Sequence, residues 1–151
     1  MDLTTHSSAE LQQAVDAYWE TFPPLWRSIQ AHIRQAASDR FNITVEQFHI
    51  LRHLSRGLDS VSALAEMRGI SSPAASQMVD VLVTRGLVNR TVDPQDRRHI
   101  CLALTEEGSW LVEAVFEDTR RWMMEKFSPL SPNDLRAFLH LSHTLKKIVE
   151  S

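Results

Sequence analysis

The chain has 151 residues, of which 43% are hydrophobic and 23% are charged, and its formal net charge is −3. These values are typical of a folded globular domain and exclude a disordered chain. No apolar run approaches the roughly 20 residues that cross a bilayer, and the N-terminal MDLTTHSSAEL lacks the basic start and apolar core of a signal peptide, so we expect a cytoplasmic protein without membrane contact.

The first 42 residues predict a long helix with an interruption. Ser7 or Ser8 can cap its N-terminus. Helical spacing gives it one apolar face, formed by Leu11, Val15, Tyr18, Trp19 and Phe22. Pro23 and Pro24 remove backbone donors from the helix, so we expect a kink or a break there. The helix should end near Ser38.

Two shorter helices are predicted next. Thr44 and Gln47 have the spacing of a capping box, and Gly57 can end the helix that they begin. Ser60 can cap a second short helix that ends at Gly69. These are the first two helices of a helix-turn-helix unit.

A third helix, from Ser72 to Gly86, is predicted to read DNA. Ser72 can accept from free amides of the first turn, and Pro73 fits there because it needs no donor. One face is apolar, with Ala75, Met78, Val79 and Leu82. The opposite face carries Ser72, Ser76, Gln77 and Asp80. Such a polar face suits the major groove, where Gln pairs with adenine edges and Ser with several bases.

Two β-prone runs, Leu87–Val92 and His99–Leu104, follow that helix and predict a hairpin. The residues between them favour a turn and include the adjacent Arg97 and Arg98, which have no apolar reason to stand at a projecting tip. A guanidinium there can enter a narrow minor groove. The predicted DNA-binding residues are Ser72, Pro73, Ala74, Ser76, Gln77, Arg90, Arg97 and Arg98.

The C-terminal part predicts two more helices. Thr105 can cap a long one, and Ser131 can cap the last one after a break at residues 128–132. The apolar stripes of the terminal helices exceed what a DNA reader of this size needs. A symmetric partner or an intramolecular bundle would cover them.

The segment from Val61 to Gly108 resembles the DNA-binding core of the MarR family of winged helix-turn-helix regulators. The residues that carry the resemblance are Asp93, Asp96, Arg98, Leu104, Thr105 and Gly108. Two positions depart from the family pattern, because Gln95 and Gln77 stand where arginine is common. Both departures lower the positive charge of the DNA-facing surface.

This resemblance implies a homodimer built from the N- and C-terminal helices, which binds a palindromic double-stranded DNA operator and usually releases it when a small molecule binds. We therefore expect a mainly α fold with a small β-hairpin wing. Residues 1–151 would form one domain, with a winged helix-turn-helix core at 43–104 flanked by helical dimerisation regions at 1–42 and 105–151.

The small molecule is expected in a crevice between the dimerisation helices and the reader. The candidate residues are Trp19, Trp26, His49, Arg52 and Trp110. They would supply stacking surface, a hydrogen-bonding ring and a cation for an anionic aromatic or phenolic effector. The alternative is that these tryptophans belong to the core and that Arg52 is solvated or contacts phosphate.

A metal-responsive regulator is the first competing hypothesis. His49 and His53 are four residues apart, and His140 and His143 are three apart. Neither pair has a carboxylate at a recognised motif spacing, so we predict no metal site and no cofactor. Cys101, the single cysteine, is interpreted as a packing residue.

Two other classes remain. An enzyme is not expected, because no nucleophile elbow, phosphate-binding glycine loop or HExxH motif is present. A winged-helix module that binds protein and not DNA is favoured by the net charge of −3 and by Gln77 and Gln95. Arg97 and Arg98 argue against that module, and DNA binding is the preferred interpretation.

Overall fold

A computed structural model describes residues 7–92 and 100–150 of the chain. The helices and strands are α1 (Ser8–Phe41), α2 (Val45–Ser55), α3 (Val61–Arg68), α4 (Ser72–Thr84), β1 (Val88–Val92), β2 (Ile100–Leu104), α5 (Glu106–Phe127) and α6 (Pro132–Val149). This architecture confirms the expected mainly α fold with a β-hairpin. No helix among the described residues is long and apolar enough to span a membrane.

The start of α1 confirms the capping prediction, and Ser7 is the cap. Its hydroxyl accepts from the Glu10 amide at 3.2 Å, and the Glu10 carboxylate accepts from the Ser7 amide at 3.0 Å. Of the kink or break predicted at Pro23 and Pro24, the break is wrong, because α1 continues through both residues, and the kink stays a prediction. The adjacent prolines disturb only one stretch of a 34-residue helix, and intact turns on both sides hold the chain helical.

The C-terminus of α1 lies at Phe41 and not near Ser38. Asn42 follows it in the left-handed conformation with φ 50, and its amide donates to the Ser38 carbonyl at 2.9 Å. Asparagine tolerates this conformation, so it ends a helix much as glycine does. The predicted end was three residues early because residues 39–41 continue the helix up to this asparagine.

One apolar core joins α2, α3, α4, the hairpin and the first half of α5. Its largest fully buried side chains are Phe48, Ile50, Leu51, Leu64, Val79, Leu82, Val88 and Val115. Burial of a large apolar side chain contributes about 1.5–3 kcal/mol, so this cluster is the main stabilising term of the helix-turn-helix. It fixes the position of α4, whose other face remains free.

The two strands are antiparallel, with Val88 paired to Leu104 and Val92 paired to Ile100. The loop before α3 anchors the hairpin, because the Leu102 amide donates to the Asp59 carbonyl at 2.7 Å. The predicted strands are confirmed at these positions, whereas His99 lies outside the described residues.

The Leu-Thr-x-x-Gly motif joins the end of the hairpin to α5. The Thr105 hydroxyl donates to the Gly86 carbonyl at 2.7 Å and accepts from the Gly108 amide at 3.0 Å. A Cβ on Gly108 would lie 2.1 Å from the Leu87 carbonyl oxygen. Glycine is therefore required because α5 begins directly against the backbone that leaves α4.

The chain divides into two compact units, one that ends at Thr119 and one that begins at Arg120. In the second unit α6 is capped by Ser131, whose hydroxyl accepts from the Asp134 amide at 3.2 Å. None of the residues of α6 is buried in the single chain. Its exposed large apolar side chains are Leu135, Phe138, Leu139, Leu141, Leu145, Ile148 and Val149.

Candidate nucleic-acid interface

The N-cap of α4 lies one residue earlier than predicted. Ser71, and not Ser72, is the N-cap, because its hydroxyl accepts from the Ala74 amide at 3.3 Å. Ser72 and Pro73 are then the first two helical residues. Either serine could cap on sequence alone, and proline is tolerated throughout the first turn because no amide there needs an intrahelical partner.

Most predicted contact residues of α4 lie on its accessible side. Ser72, Pro73 and Gln77 are exposed, and Ala74 and Ser76 are half-buried. Because the N-terminus of α4 is the positive end of the helix dipole, it also favours an approaching phosphate. The helix can therefore meet both base edges and the DNA backbone.

Arg90 belongs to the base of the hairpin and is turned toward α4. Its guanidinium forms an ion pair with the Asp80 carboxylate and donates a hydrogen bond to the Ser76 hydroxyl at 3.1 Å. The side chain of Arg90 is 28% exposed and that of Asp80 is 56% exposed. Sequence reasoning placed Arg90 among the DNA contacts and did not assign Asp80 a role. In the structure, the pair braces the reading helix against β1.

A cleft of about 300 Å³ lies between α3, the start of α4 and the hairpin. Among the described residues, its polar lining consists of Ser60, Ser62, Ser72, Ser76 and Arg90. The serine hydroxyls offer donors and acceptors that can contact phosphate and sugar, whereas the Arg90 guanidinium is already paired with Asp80 and bonded to Ser76. The predicted wing residues Arg97 and Arg98 lie outside the described residues, so their contribution stays a prediction.

His49 and Arg52, from the predicted effector set, share one side of α2. The Arg52 guanidinium lies 5.1 Å from the centroid of the Phe116 ring, and its Nε is buried without a hydrogen-bond partner among the described residues. Burial, followed by the charge of Arg56, lowers the pKa of Arg52. Burial, followed by the charge of Arg52, also lowers the pKa of His49. This electrostatic environment favours an anion.

The three tryptophans of the predicted effector set are not core residues in the single chain. Trp19, Trp26 and Trp110 are 66%, 55% and 59% exposed. Trp19 packs edge-on against Tyr18, with 5.6 Å between ring centroids, and Trp110 packs edge-on against Phe41 at 5.5 Å. Contacts among the described residues do not join these rings to His49 or Arg52, so the effector site stays a prediction.

The two histidine pairs that could bind metal lie on α2, with His49 and His53, and on α6, with His140 and His143. Among the described residues, no group of three or more His, Cys, Asp or Glu side chains could hold a metal ion. Burial, followed by the charges of Arg52 and Arg56, lowers the pKa of His53. Cations beside His53 disfavour a bound metal ion as they disfavour a proton.

The three packed helices α2, α3 and α4, followed by an antiparallel hairpin, define a winged helix-turn-helix protein, a class whose third helix enters the DNA major groove. The sequence model described as MarR family matches residues 41–99, which contain α2, α3, α4 and β1. Over this segment the chain is therefore similar to the MarR family of DNA-binding transcriptional regulators, and the curated relatives that it matches are regulators and not enzymes.

Individual relatives agree with this assignment. MdtR, an HTH-type transcriptional repressor of Bacillus subtilis, is 28% identical over 128 residues, covering 84% of this chain and 82% of MdtR. A MepR variant of S. aureus, solved bound to an oligodeoxyribonucleotide, is 26% identical with a TM-score of 0.67, covering 87% of this chain and 97% of that one. The transcriptional regulator Tm0710 of Thermotoga maritima has a TM-score of 0.78 at 24% identity, covering 89% and 95% of the two chains, and supports the fold alone.

Proposed function

We propose that this regulator is a homodimeric repressor that binds a palindromic DNA operator and releases it when a small effector binds. The observation that carries the proposal is the exposed polar face of α4, which includes Ser72 and Gln77, beside a cleft lined by serine hydroxyls. Repression is inferred by analogy with the relative MdtR, which is named a repressor.

The dimer is supported by apolar surface that one chain leaves exposed. The face of α6 contains Leu139 at 57% and Leu141 at 49% exposure, and α1 contains Leu11 at 61% and Trp19 at 66%. Exposed apolar helix faces of this kind mark interaction sites, and a second copy is the simplest symmetric partner.

Light scattering at micromolar concentration tests the dimer. We expect twice the chain mass of 17.3 kDa. Leu139→Glu should shift the mass toward the monomer, because a carboxylate would be buried without a partner. The control Lys147→Glu introduces the same side chain at an exposed polar position of α6 and should leave the mass unchanged. A wild-type mass near that of one chain contradicts the proposal.

Each protomer of the dimer would place α4 in one major groove, with half-sites about one helical turn or 34–36 Å apart. Fluorescence anisotropy with DNA from upstream of its own gene tests this. Gln77→Ala should reduce discrimination between operator and mutated operator by about 1–3 kcal/mol, with little change in the salt dependence.

The wing arginines are proposed to bind phosphate and the minor groove. Arg97→Ala and Arg98→Ala should weaken binding to all sequences and flatten the slope of log affinity against log salt, by about 0.9 for each phosphate that is no longer neutralised. If wild type and both variants bind with equal affinity and equal slope, the wing does not touch DNA. Absence of any operator binding by the wild type would favour the protein-binding module.

An anionic aromatic effector is proposed for the surface that includes Trp19, Trp26, His49, Arg52 and Trp110. The buried Nε of Arg52, which has no hydrogen-bond partner in the described part of the chain, and the exposed tryptophan rings support it, because they offer a cation and stacking surface. Salicylate should raise the melting temperature and weaken operator binding. A panel of benzoates and salicylates that changes neither quantity contradicts this part of the proposal.

A further inference from the structure

An apolar groove of about 450 Å³ runs along one side of α4, between that helix and the N-terminal turn of α2. The α4 side of this groove is formed by Ala74, Gln77, Met78 and Val81, and Ile70 from the turn before α4 also lines it. The i, i+3, i+4 and i+7 spacing places the four α4 residues on one side of the helix. The apolar groove therefore lies directly beside Gln77, the residue that we expect to read bases.

The apolar side chains of this groove differ in their contact with the core. Ile70 and Met78 pack against the buried core and form the floor of the groove. Val81 is 45% exposed, and Ala74 is half-buried. Val81 and Ala74 are thus apolar side chains on the reading helix that meet water until a partner with an apolar group covers them.

The polar edge of the apolar groove does not suit the DNA backbone. Thr44 and Gln47 already serve the capping box of α2, in which the Gln47 amide donates to the Thr44 hydroxyl at 3.2 Å. Glu46 is exposed, and its negative charge repels phosphate. Among the described residues, no lysine or arginine lines the groove. These features favour contact with base edges over contact with phosphates.

The side chains of α4 also restrict the bases that it can read. Between Ser72 and Thr84 the helix has no lysine or arginine, the residue types that form bidentate hydrogen bonds with guanine. Arg85, which follows, donates to two backbone carbonyls at the end of α1. Asp80 could accept from cytosine, but it is paired with Arg90. Gln77 remains as a bidentate reader, and glutamine pairs with N6 and N7 of adenine.

We propose that the apolar groove covers the C5-methyl groups of thymines, so that α4 selects A·T base pairs in each half-site. In the DNA major groove an A·T pair presents N6 and N7 of adenine beside the methyl group of thymine, and Gln77 and the apolar groove match these two features side by side. Ala74 and Val81 are the specificity-determining residues that contact the methyl groups.

The length of the apolar groove fits a short run of base pairs. Ala74 and Val81 are seven residues apart in the sequence. That separation is about 10.5 Å along a helix axis, which is comparable with about three stacked base pairs. This inference rests on the proposed function, because it specifies the operator that the proposed function requires.

Selection from a random duplex library by the full chain supplies a bound DNA fragment without knowledge of the regulated gene. We expect selected half-sites with A·T pairs at about three consecutive positions, whereas G·C pairs throughout the half-sites overturn the proposal. The selected fragment is then synthesised with deoxyuridine in place of thymidine, which removes only the C5-methyl groups. Anisotropy should show at least tenfold weaker binding of the uracil fragment, because each covered methyl contributes about fourfold and a dimer covers at least one in each half-site.

Two variants place the effect in the apolar groove. Val81→Ala and Ala74→Gly each remove apolar contact surface, so each should reduce the difference in affinity between the thymine and uracil fragments to about threefold or less. Val92→Ala is the matched control and should keep the full difference, because Val92 lies on β1, outside the groove, and is 57% exposed. Val81→Ala places a better helix former at an exposed position, so it decides the question if Ala74→Gly does not fold.

Equal affinity of the wild type for both fragments overturns the proposal, leaves the proposed function intact and favours an apolar protein segment as the occupant of the groove. An unchanged difference in both groove variants also overturns it, because the methyl groups then act elsewhere on the DNA. If the selection yields no bound DNA, the proposed function fails and this inference fails with it.

Discussion

Arg90 of β1 joins the hairpin to the reading helix through its ion pair with Asp80. The same guanidinium donates to the Ser76 hydroxyl at 3.1 Å, so two residues of α4, four positions apart, are held by one side chain. The Arg90 side chain is partly buried, and its two terminal nitrogens contact Asp80 and Ser76. The Arg90–Asp80 ion pair is therefore stronger than an ordinary surface ion pair. We infer that Arg90 positions α4 and does not itself neutralise a phosphate.

This interpretation predicts a specific pattern of operator affinities. Asp80→Asn and Arg90→Gln should each weaken operator binding, because the hairpin and α4 lose their connection. The double variant should be little worse than either single one, with a coupling of about 0.5–3 kcal/mol in a double-mutant cycle. Anisotropy titrations at several salt concentrations should show unchanged salt slopes.

Direct binding of phosphate by Arg90 would give the opposite pattern. Arg90→Gln would then flatten the salt slope by about 0.9, and Asp80→Asn would strengthen operator binding by releasing the cation. Gln77→Ala serves as the control, since Gln77 is exposed on α4 and is not part of this network.

Gly108 supports a stability prediction. In Gly108→Ala the new Cβ would meet the Leu87 carbonyl oxygen at 2.1 Å, so α5 must shift away from the end of α4. We expect a loss of about 1–3 kcal/mol in the free energy of unfolding, despite the better helix propensity of alanine. Urea denaturation measures it, with Ser109→Ala as the neighbouring control. An unchanged urea midpoint would show that α5 accommodates the new Cβ without loss of stability.

Local signals in the sequence predicted most of the helix boundaries. The capping boxes at Ser7, Thr44 and Ser131 use side chains within three residues of the cap, so their outcome depends little on the rest of the fold. The same local reasoning did not decide between a kink and a break at Pro23 and Pro24, where no break occurs. There the cost of the missing hydrogen bonds competes with the stability of a long helix, and spacing does not show which is larger.

Side-chain partners across the fold could not be predicted in the same way. Arg90 and Asp80 are ten residues apart, and only the packing of β1 on α4 shows that they meet. The polar residues of α4 predicted a surface that can contact DNA. The contact that holds α4 against β1 depends on the tertiary packing and could not be predicted from those residues.

The histidines of α2 predict a pH dependence of stability. Burial, with Arg52 as the largest charged neighbour, lowers the pKa of both His49 and His53 below the ordinary value of about 6.5. The unfolded chain then binds protons more readily than the folded chain. The contribution of these histidines to the free energy of unfolding is therefore fully present above a pH of about 6.5. It is lost as the pH falls through their lowered pKa values.

Urea midpoints between pH 5 and 8 check this prediction. The double variant His49→Gln, His53→Gln should lose part of the decline in stability toward acid, because its α2 no longer takes up protons on unfolding. His143→Gln, at an exposed position of α6, is the control and should keep the wild-type profile. Superimposable profiles for all three proteins would show that these histidines are not coupled to folding.

Arg85 leads to the last prediction, because it connects the end of α4 with the end of α1. Its Nη1 donates to the Asn42 carbonyl at 2.6 Å and its Nη2 donates to the Phe41 carbonyl at 2.8 Å. Carbonyls at a helix C-terminus lack intrahelical donors and carry partial negative charge, so a guanidinium is well matched to them. Arg85→Met keeps much of the side-chain volume but removes both donors.

We expect Arg85→Met to lower the free energy of unfolding by about 1 kcal/mol, a value reduced by the exposure of Arg85 to solvent. Hydrogen exchange should quicken first at the Asn42 and Ile43 amides, which close the end of α1. Arg85→Lys should restore only part of the protection, because an ammonium lacks the planar fork that reaches both carbonyls. The control Arg27→Met removes an exposed arginine from the middle of α1. If Arg85→Met and Arg27→Met exchange alike at these amides, Arg85 does not hold α1 and α4 together, and the position of the reading helix depends on the apolar core alone.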